Sequence, residues 1–171
     1  MAELEIIKIG HPTLSKKAQP VGNISQEIVE LARDMVETMH LVPGIGLAAP
    51  QVNVSLRLIT VDLSVGENKN ELIIMVNPQI VEQEGEQISE EGCLSVPGIY
   101  EKVIRPSRIA VRGFCLDGKE VMIEAKDLLA RVFCHEIDHL EGKLFVDRLS
   151  PLKRRLIKGR LKKEMEKGSA G

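Results

Sequence analysis

Ile24, Ile28, Leu31, Met35 and Met39 recur every three to four residues with charges between them. That period places them on one stripe and predicts an amphipathic helix over about 24–41. Asn23 or Ser25 stands where an N-cap is expected, and Pro43-Gly44 ends the run. The middle of the chain changes period. Segments 56–63, 72–81, 108–114 and 119–124 are rich in β-branched residues and bounded by Gly, Asp, Asn or Pro. They predict strands, with Asp117-Gly118 as a hairpin turn. Helical spacing returns over about 125–141 through Leu128, Leu129, Val132, Phe133, Ile137 and Leu140, and Gly142 is a natural stop. Ser150-Pro151 puts a capping residue before a proline at the first helical position, opening a last helix over about 151–167. Helix, antiparallel strands, helix, helix is the order of an α+β fold.

Length and composition bound what this fold can be. A chain of 171 residues is long enough for one well-buried domain and short for two, so a single domain over 1–171 is expected. Aromatic residues make up only 2%, which leaves the core to aliphatic side chains and argues against a base-stacking surface for single strands. The opening MAELEIIKIG carries two acids and no long apolar run, and no segment approaches the roughly 20 apolar residues of a membrane span. A cytoplasmic protein with no membrane contact is the expectation. Three cysteines (Cys93, Cys115, Cys134) cannot all pair with one another, so reduced thiols are expected, each a core residue or a metal ligand.

The chemistry gathers at His135-Glu136-Ile137-Asp138-His139, an HExxH pattern inside the second predicted helix. Residues four apart lie one turn apart on the same face, so both imidazoles can reach one ion. Glu136 is rotated about 100° from His135 and sits beside that ion, where it can take a proton from water. A catalytic site of this kind has three protein ligands and an open position. Cys134 adjoins His135 on the helix and points away, and Cys115 sits in a strand-like run, so both read as core. Cys93, in the polar turn Glu90-Glu91-Gly92-Cys93-Leu94-Ser95, is the candidate third ligand, although spacing alone leaves core packing equally open. Gly92 there would let another backbone come close. His11 and His40 have no partner at ligand spacing and read as solvated or helix-end histidines.

Gly44-Ile45-Gly46-Leu47-Ala48-Ala49-Pro50-Gln51 contains G-x-G-x-x-A, with Asp62 downstream. A dinucleotide fingerprint must follow a strand and open a helix; here a helix precedes it and Pro50 obstructs one, so that reading is rejected. The glycines instead bring backbone groups near a substrate, and the Gln51 amide can donate to an oxyanion.

Gly44–Gln51, Glu91–Ser95 and His135–His139 together resemble the three signature motifs of the peptide deformylases, in order and spacing, with similarity running through about residues 5–150. The resemblance implies antiparallel strands packed around a central HExxH helix, with an N-terminal and a C-terminal helix. It implies one divalent ion on Cys93, His135 and His139, natively Fe2+, with Ni2+, Co2+ or Zn2+ able to occupy the site. The implied reaction removes the formyl group from the N-terminal formyl-methionine of new polypeptides in bacteria or organelles. Glu136 would act as general base and then general acid, with the oxyanion facing the ion, the Gln51 amide and the Leu94 N–H. Leu128 and Val132 lie seven and three residues before His135 on the ligand face, so with Ile45 they can line a methionine pocket. Gly46 and Glu91 match positions that contact the substrate or Gln51. Tyr100 falls where some members carry an arginine that contacts the substrate backbone, so that contact is in question. Arg105 can pair with Asp138 and orient the histidine helix.

Between Ser150 and Lys167 stand eight basic residues against Glu164 and Glu166, in a chain whose net charge is −2. A solvated face explains this as readily as docking to the ribosome, which the resemblance implies for this helix. Nothing requires more than a monomer. Two rivals remain: an HExxH zinc peptidase, which commonly draws a third ligand from downstream, and a non-catalytic ribosome-binding module with a structural metal. Glu141 and Asp147 are poorly spaced for the first. The second needs four protein ligands where three are found.

Overall fold

The computed structural model describes residues 3–170, with side chains as far as Glu164. The chain runs α1 (Gln26–Leu41), β1 (Gly46–Ala48), β2 (Leu58–Val61), β3 (Ile73–Glu84), β4 (Gln87–Cys93), β5 (Val96–Arg105), β6 (Arg108–Phe114), β7 (Glu120–Lys126), α2 (Asp127–Leu140) and α3 (Pro151–Ala170). Five strands form one antiparallel sheet in the order β1-β2-β3-β6-β7, and β4-β5 form a separate hairpin. This is the α+β architecture expected. Glu166 and Lys167, counted in the basic run, lie outside the described side chains. No helix among the described residues is long and apolar enough to cross a membrane.

Each predicted stripe is buried against a partner. On α1, Ile28, Ala32, Met35 and Met39 pack with Leu47, Val52 and Leu58 of the β1–β2 region. On α2, Ala130, Phe133, Ile137 and Leu140 pack against Ile59, Ile109 and Val111 of the sheet. Phe133 is fully buried, and a ring so placed contributes about 1.5–3 kcal/mol over leaving it exposed. A third cluster joins Val96, Ile99 and Val103 of β5 to Phe145, Val146 and the buried Ile157 and Leu161 of α3. α2 packs on β1, β2 and β7, and its ligand face is met by Glu91 and Cys93 of β4.

Ser25 is the N-cap of α1 but its side chain makes no capping hydrogen bond. Gly142 follows α2 at φ +75° with its N–H on the His139 carbonyl, as its position predicted. The Ser150 hydroxyl accepts from Lys153 N–H at the start of α3. Gly118 takes φ +87° in the β6–β7 turn. Three strands lie outside the predicted ones: β1 is within the Gly44–Gln51 loop, and β4 and β5 occupy a stretch for which no element is predicted. The β4–β5 hairpin carries Ile88 and Ile104 outward and exposed, while Glu91 and Arg105 point inward and are buried. Its buried side is mixed, because Val96, Ile99 and Val103 are buried alongside those two charges.

Candidate active site

Two elements bring the donors together. His135 and His139 project from one face of α2, with their Nε2 atoms 3.3 Å apart. Cys93 is the last residue of β4, paired across the two-residue Leu94-Ser95 turn with Val96, rather than part of the turn itself. The hairpin sets its Sγ 3.4 Å from His139 Nε2. One donor atom from each of Cys93, His135 and His139 lies within 4.8 Å of the others. Ligand bonds of about 2.0–2.3 Å in tetrahedral array separate their donors by about 3.3–3.6 Å, so this set fits one divalent ion. Burial pushes the His139 imidazole well below its ordinary range, aided by the charges of His135 and Arg105, and so favours the neutral form that ligates.

Glu136 shares the helix but not the donor set. It is buried, and its Oε1 has no hydrogen-bond partner. Burial raises its carboxyl to about 7, against the opposing charge of His135. A carboxyl poised there can accept and release a proton near neutral pH. Gly46 of β1 faces it: a Cβ at that position would collide with Glu136 Oε2 and stand 2.9 Å from Val132 Cγ1. Gly46 is thus a close approach between β1 and α2 as well as part of the cavity wall.

Gln51 is aimed by its own backbone turn. The Ala48 N–H donates to Gln51 Oε1 at 3.0 Å, which leaves the amide nitrogen facing Cys93 Sγ at 3.6 Å and Ser95 Oγ at 3.3 Å. A donor therefore points at the thiol side of the donor set. Leu94 follows Cys93, and its carbonyl accepts from Lys8 Nζ at 3.2 Å.

Behind the histidines lies a buried ionic network. Arg105 donates to both oxygens of Glu91 at 2.9 Å and to Asp138 at 2.6 Å. Glu91 Oε1 is also 3.1 Å from His135 Nδ1. Burial pushes the Glu91 carboxyl up, but hydrogen bonds from Arg105 and His135 override it and hold it at about 2. The expected Arg105–Asp138 pair is present, whereas Glu91 faces Arg105 and His135 and not Gln51. Arg148, with no signal in the sequence, adds two bonds to Asp138 at 2.6 and 3.0 Å.

A cavity of about 580 Å³ opens in front of the donors, with Ile45, Gly46, Leu128 and Val132 among its walls. Leu128 is 41% exposed, so it is not ordinary core. The Tyr100 ring, rather than a backbone, fills the space over Gly92, 2.6 Å from where a Cβ would stand. Cys134 is buried, and burial pushes its thiol up to about 11, an inert core residue as expected. Cys115 is half-buried in the β6–β7 connection and not core. His11 caps the short helix Pro12–Ser15 by accepting from Thr13 N–H, and His40 stands in the last turn of α1, both helix-end histidines; His40 also pairs with the buried Asp62 at 2.8 Å.

Two helical imidazoles, a converging thiol and a buried carboxylate beside them define a metal-dependent hydrolase. The comparisons narrow the class. The polypeptide deformylase family model matches residues 3–155. The peptide deformylase of Syntrophobacter fumaroxidans is 49% identical over 170 residues, covering 99% of this chain and 100% of that one. That of Halothermothrix orenii is 53% identical over 149 residues, covering 87% and 95%. The crystal structure of a peptide deformylase from Legionella pneumophila superposes with TM-score 0.91 at 43% identity, covering 99% of each chain. Another from Ehrlichia chaffeensis, in complex with actinonin, gives 0.87 at 37%, covering 96% and 98%. The chain belongs to the polypeptide deformylase family, metal-dependent hydrolases of protein biosynthesis that remove the formyl group from the N-terminal methionine of new polypeptides.

Proposed function

We propose that Cys93, His135 and His139 hold the single divalent ion of this enzyme, Fe2+ in the cell, with Ni2+, Co2+ or Zn2+ able to take its place. What supports the reading is the convergence of these three donor atoms within 4.8 Å beside Glu136. When bound, the ion supplies Lewis acidity that polarises the formyl oxygen and brings the pKa of coordinated water towards neutral. The residues of the chain do the rest. Glu136 takes the proton of the attacking water and returns it to the methionine nitrogen as the formyl C–N bond breaks, releasing formate and a free amine. The Gln51 amide and the Leu94 backbone N–H donate to the oxyanion; losing one such donor costs on the order of 10²–10³ in rate. Ile45, Leu128 and Val132 receive the methionine side chain, Gly46 borders it, and Glu91 acts through His135.

The substrate in the cell is the formyl-methionyl end of a nascent chain, met in the bacterial cytoplasm by a monomer folded as one domain over 1–171. The basic face of α3 is read as the contact to the ribosome. Ile157 and Leu161 anchor that helix while Leu152 and Leu156 stay exposed beside the basic residues. Ribosome binding that survives deletion of 152–171 unchanged would refute this contact. The site itself is tested by anomalous scattering from the metal-loaded protein together with Cys93→Ser. An ion bonded to all three residues, weakened at least tenfold in affinity by the substitution, is expected. Full metal affinity without the thiol would remove Cys93 from the ligand set.

A further inference from the structure

One residue outside the cavity holds the wall from Pro43 to Gly46 at both ends. Asp62 follows β2 and its side chain is fully buried. Its backbone N–H donates to the Ile45 carbonyl at 2.9 Å. Its Oδ2 meets His40 Nε2 at 2.8 Å, one residue before α1 ends. The segment between these anchors supplies Pro43, Gly44 and Ile45 to the cavity, whereas neither Asp62 nor His40 lines it.

The anchor is itself rigid. Ser64 donates to Asp62 Oδ1 from its N–H at 2.9 Å and from its hydroxyl at 2.7 Å, and Gly66 N–H donates to Oδ2 at 2.9 Å. Val65, a β-branched residue, is held at φ +53°, a conformation that persists only where surrounding bonds impose it. Gly66 at φ +86° lets the turn close over His40, whose Nδ1 would be 3.3 Å from any Cβ there. A buried carboxylate with four hydrogen-bond contacts, in a turn kept against its own backbone preference, is built to stay in place. Between the anchors the backbone is tied by the Val42 N–H bond to the Thr38 carbonyl at 3.3 Å and the Gly44 N–H bond to the Met39 carbonyl at 2.9 Å.

We infer that Asp62 and His40 form a clasp that sets the position of Ile45 and so the width of the methionine slot, making them positioning residues for the reaction. The inference rests on the reading of Ile45, Leu128 and Val132 as walls of that slot. Releasing the clasp frees the wall without touching the reacting atoms, so binding and side-chain discrimination suffer while the chemical step survives.

The variant to make is His40→Ala in the metal-loaded enzyme, because His40 is partly exposed and its loss leaves the core intact. KM for formyl-Met-Ala-Ser is expected to rise about tenfold with kcat within about twofold of wild type. The preference in kcat/KM for formyl-Met over formyl-Ala peptides should shrink by about the same factor. His40→Gln, whose amide can donate to Asp62, should restore both. Hydrogen exchange supplies a readout independent of turnover: the amides of 44–46 should exchange faster in His40→Ala, with those of β3 and β6 unchanged. Unchanged exchange at 44–46 with unchanged KM overturns the clasp, as does a fall in kcat with KM and discrimination intact. If the wild type turns over no formyl-methionyl peptide, the slot reading fails, while the exchange measurement still decides whether the clasp holds the wall.

Discussion

Glu91 and Glu136 border one cavity, and both are buried acids, yet their surroundings differ in kind. Glu91 on β4 receives two bonds from Arg105 and one contact from His135, and these hold it at about 2. Glu136 on α2 sits against Gly46 and Val132 with one oxygen unpartnered, and burial lifts it to about 7. The first keeps its charge through any pH the cell meets, which suits a residue that orients an imidazole. The second can change its charge at neutral pH, which suits one that carries a proton. Residue type is the same in both; the number of donors around the carboxylate decides the role.

That contrast can be broken at three points. The largest effect is expected at the proposed proton carrier: Glu136→Gln should lower turnover about 10³–10⁴-fold while bound metal, measured by elemental analysis, stays stoichiometric. Loss of metal together with turnover would put Glu136 among the ligands and erase the distinction. Next, Arg105→Met strips Glu91 and Asp138 of their shared counter-charge, and unfolding in urea should show a loss of about 3–5 kcal/mol. Part of it should return in the Arg105→Met, Glu91→Gln double variant, because the stranded charge has gone. An unchanged midpoint in the single variant would mean that the network carries no net stability. The smallest effect concerns a third buried acid, Asp62. Burial pushes its carboxyl up, but bonds from Ser64, His40 and Gly66 outweigh this and leave it lowered. A lowered folded pKa gives stability that is complete above the unfolded value of about 3.9 and is lost as pH falls through the folded value. Below about pH 4, unfolding midpoints should therefore fall more steeply in wild type than in Asp62→Asn. Parallel acid limbs would show that Asp62 titrates alike in both states.

Local spacing alone carried much of the molecule. The stripe on α1, the stripe on α2, the Gly142 stop and the Ser150-Pro151 start all follow from side chains one turn apart on a helix, a relation that needs no partner to be visible. The same rule paired His135 with His139 and set Glu136 beside them. The β4–β5 hairpin escaped detection because its inward positions are mixed: Val96, Ile99 and Val103 turn inward, but so do Glu91 and Arg105, while Ile88 and Ile104 face out and blur the alternation by which strands are recognised. β1 escaped because three residues of a glycine-rich loop show no period at all.

The sequence by itself determined the helix that presents two imidazoles and a carboxylate, the α+β order of elements, and the three motifs by which the family is recognised. Only the tertiary structure decided that the Cys93 thiol meets those imidazoles, 46 residues away in sequence from His139, because that distance is closed by β4 packing over α2. It alone decided that Glu91 serves Arg105 and His135, that Arg148 joins them, and that His40 is tied to Asp62. Periodicity reports which face of an element is buried. Which partners meet across that face is set by the packing of elements far apart in the chain, and no local pattern records it.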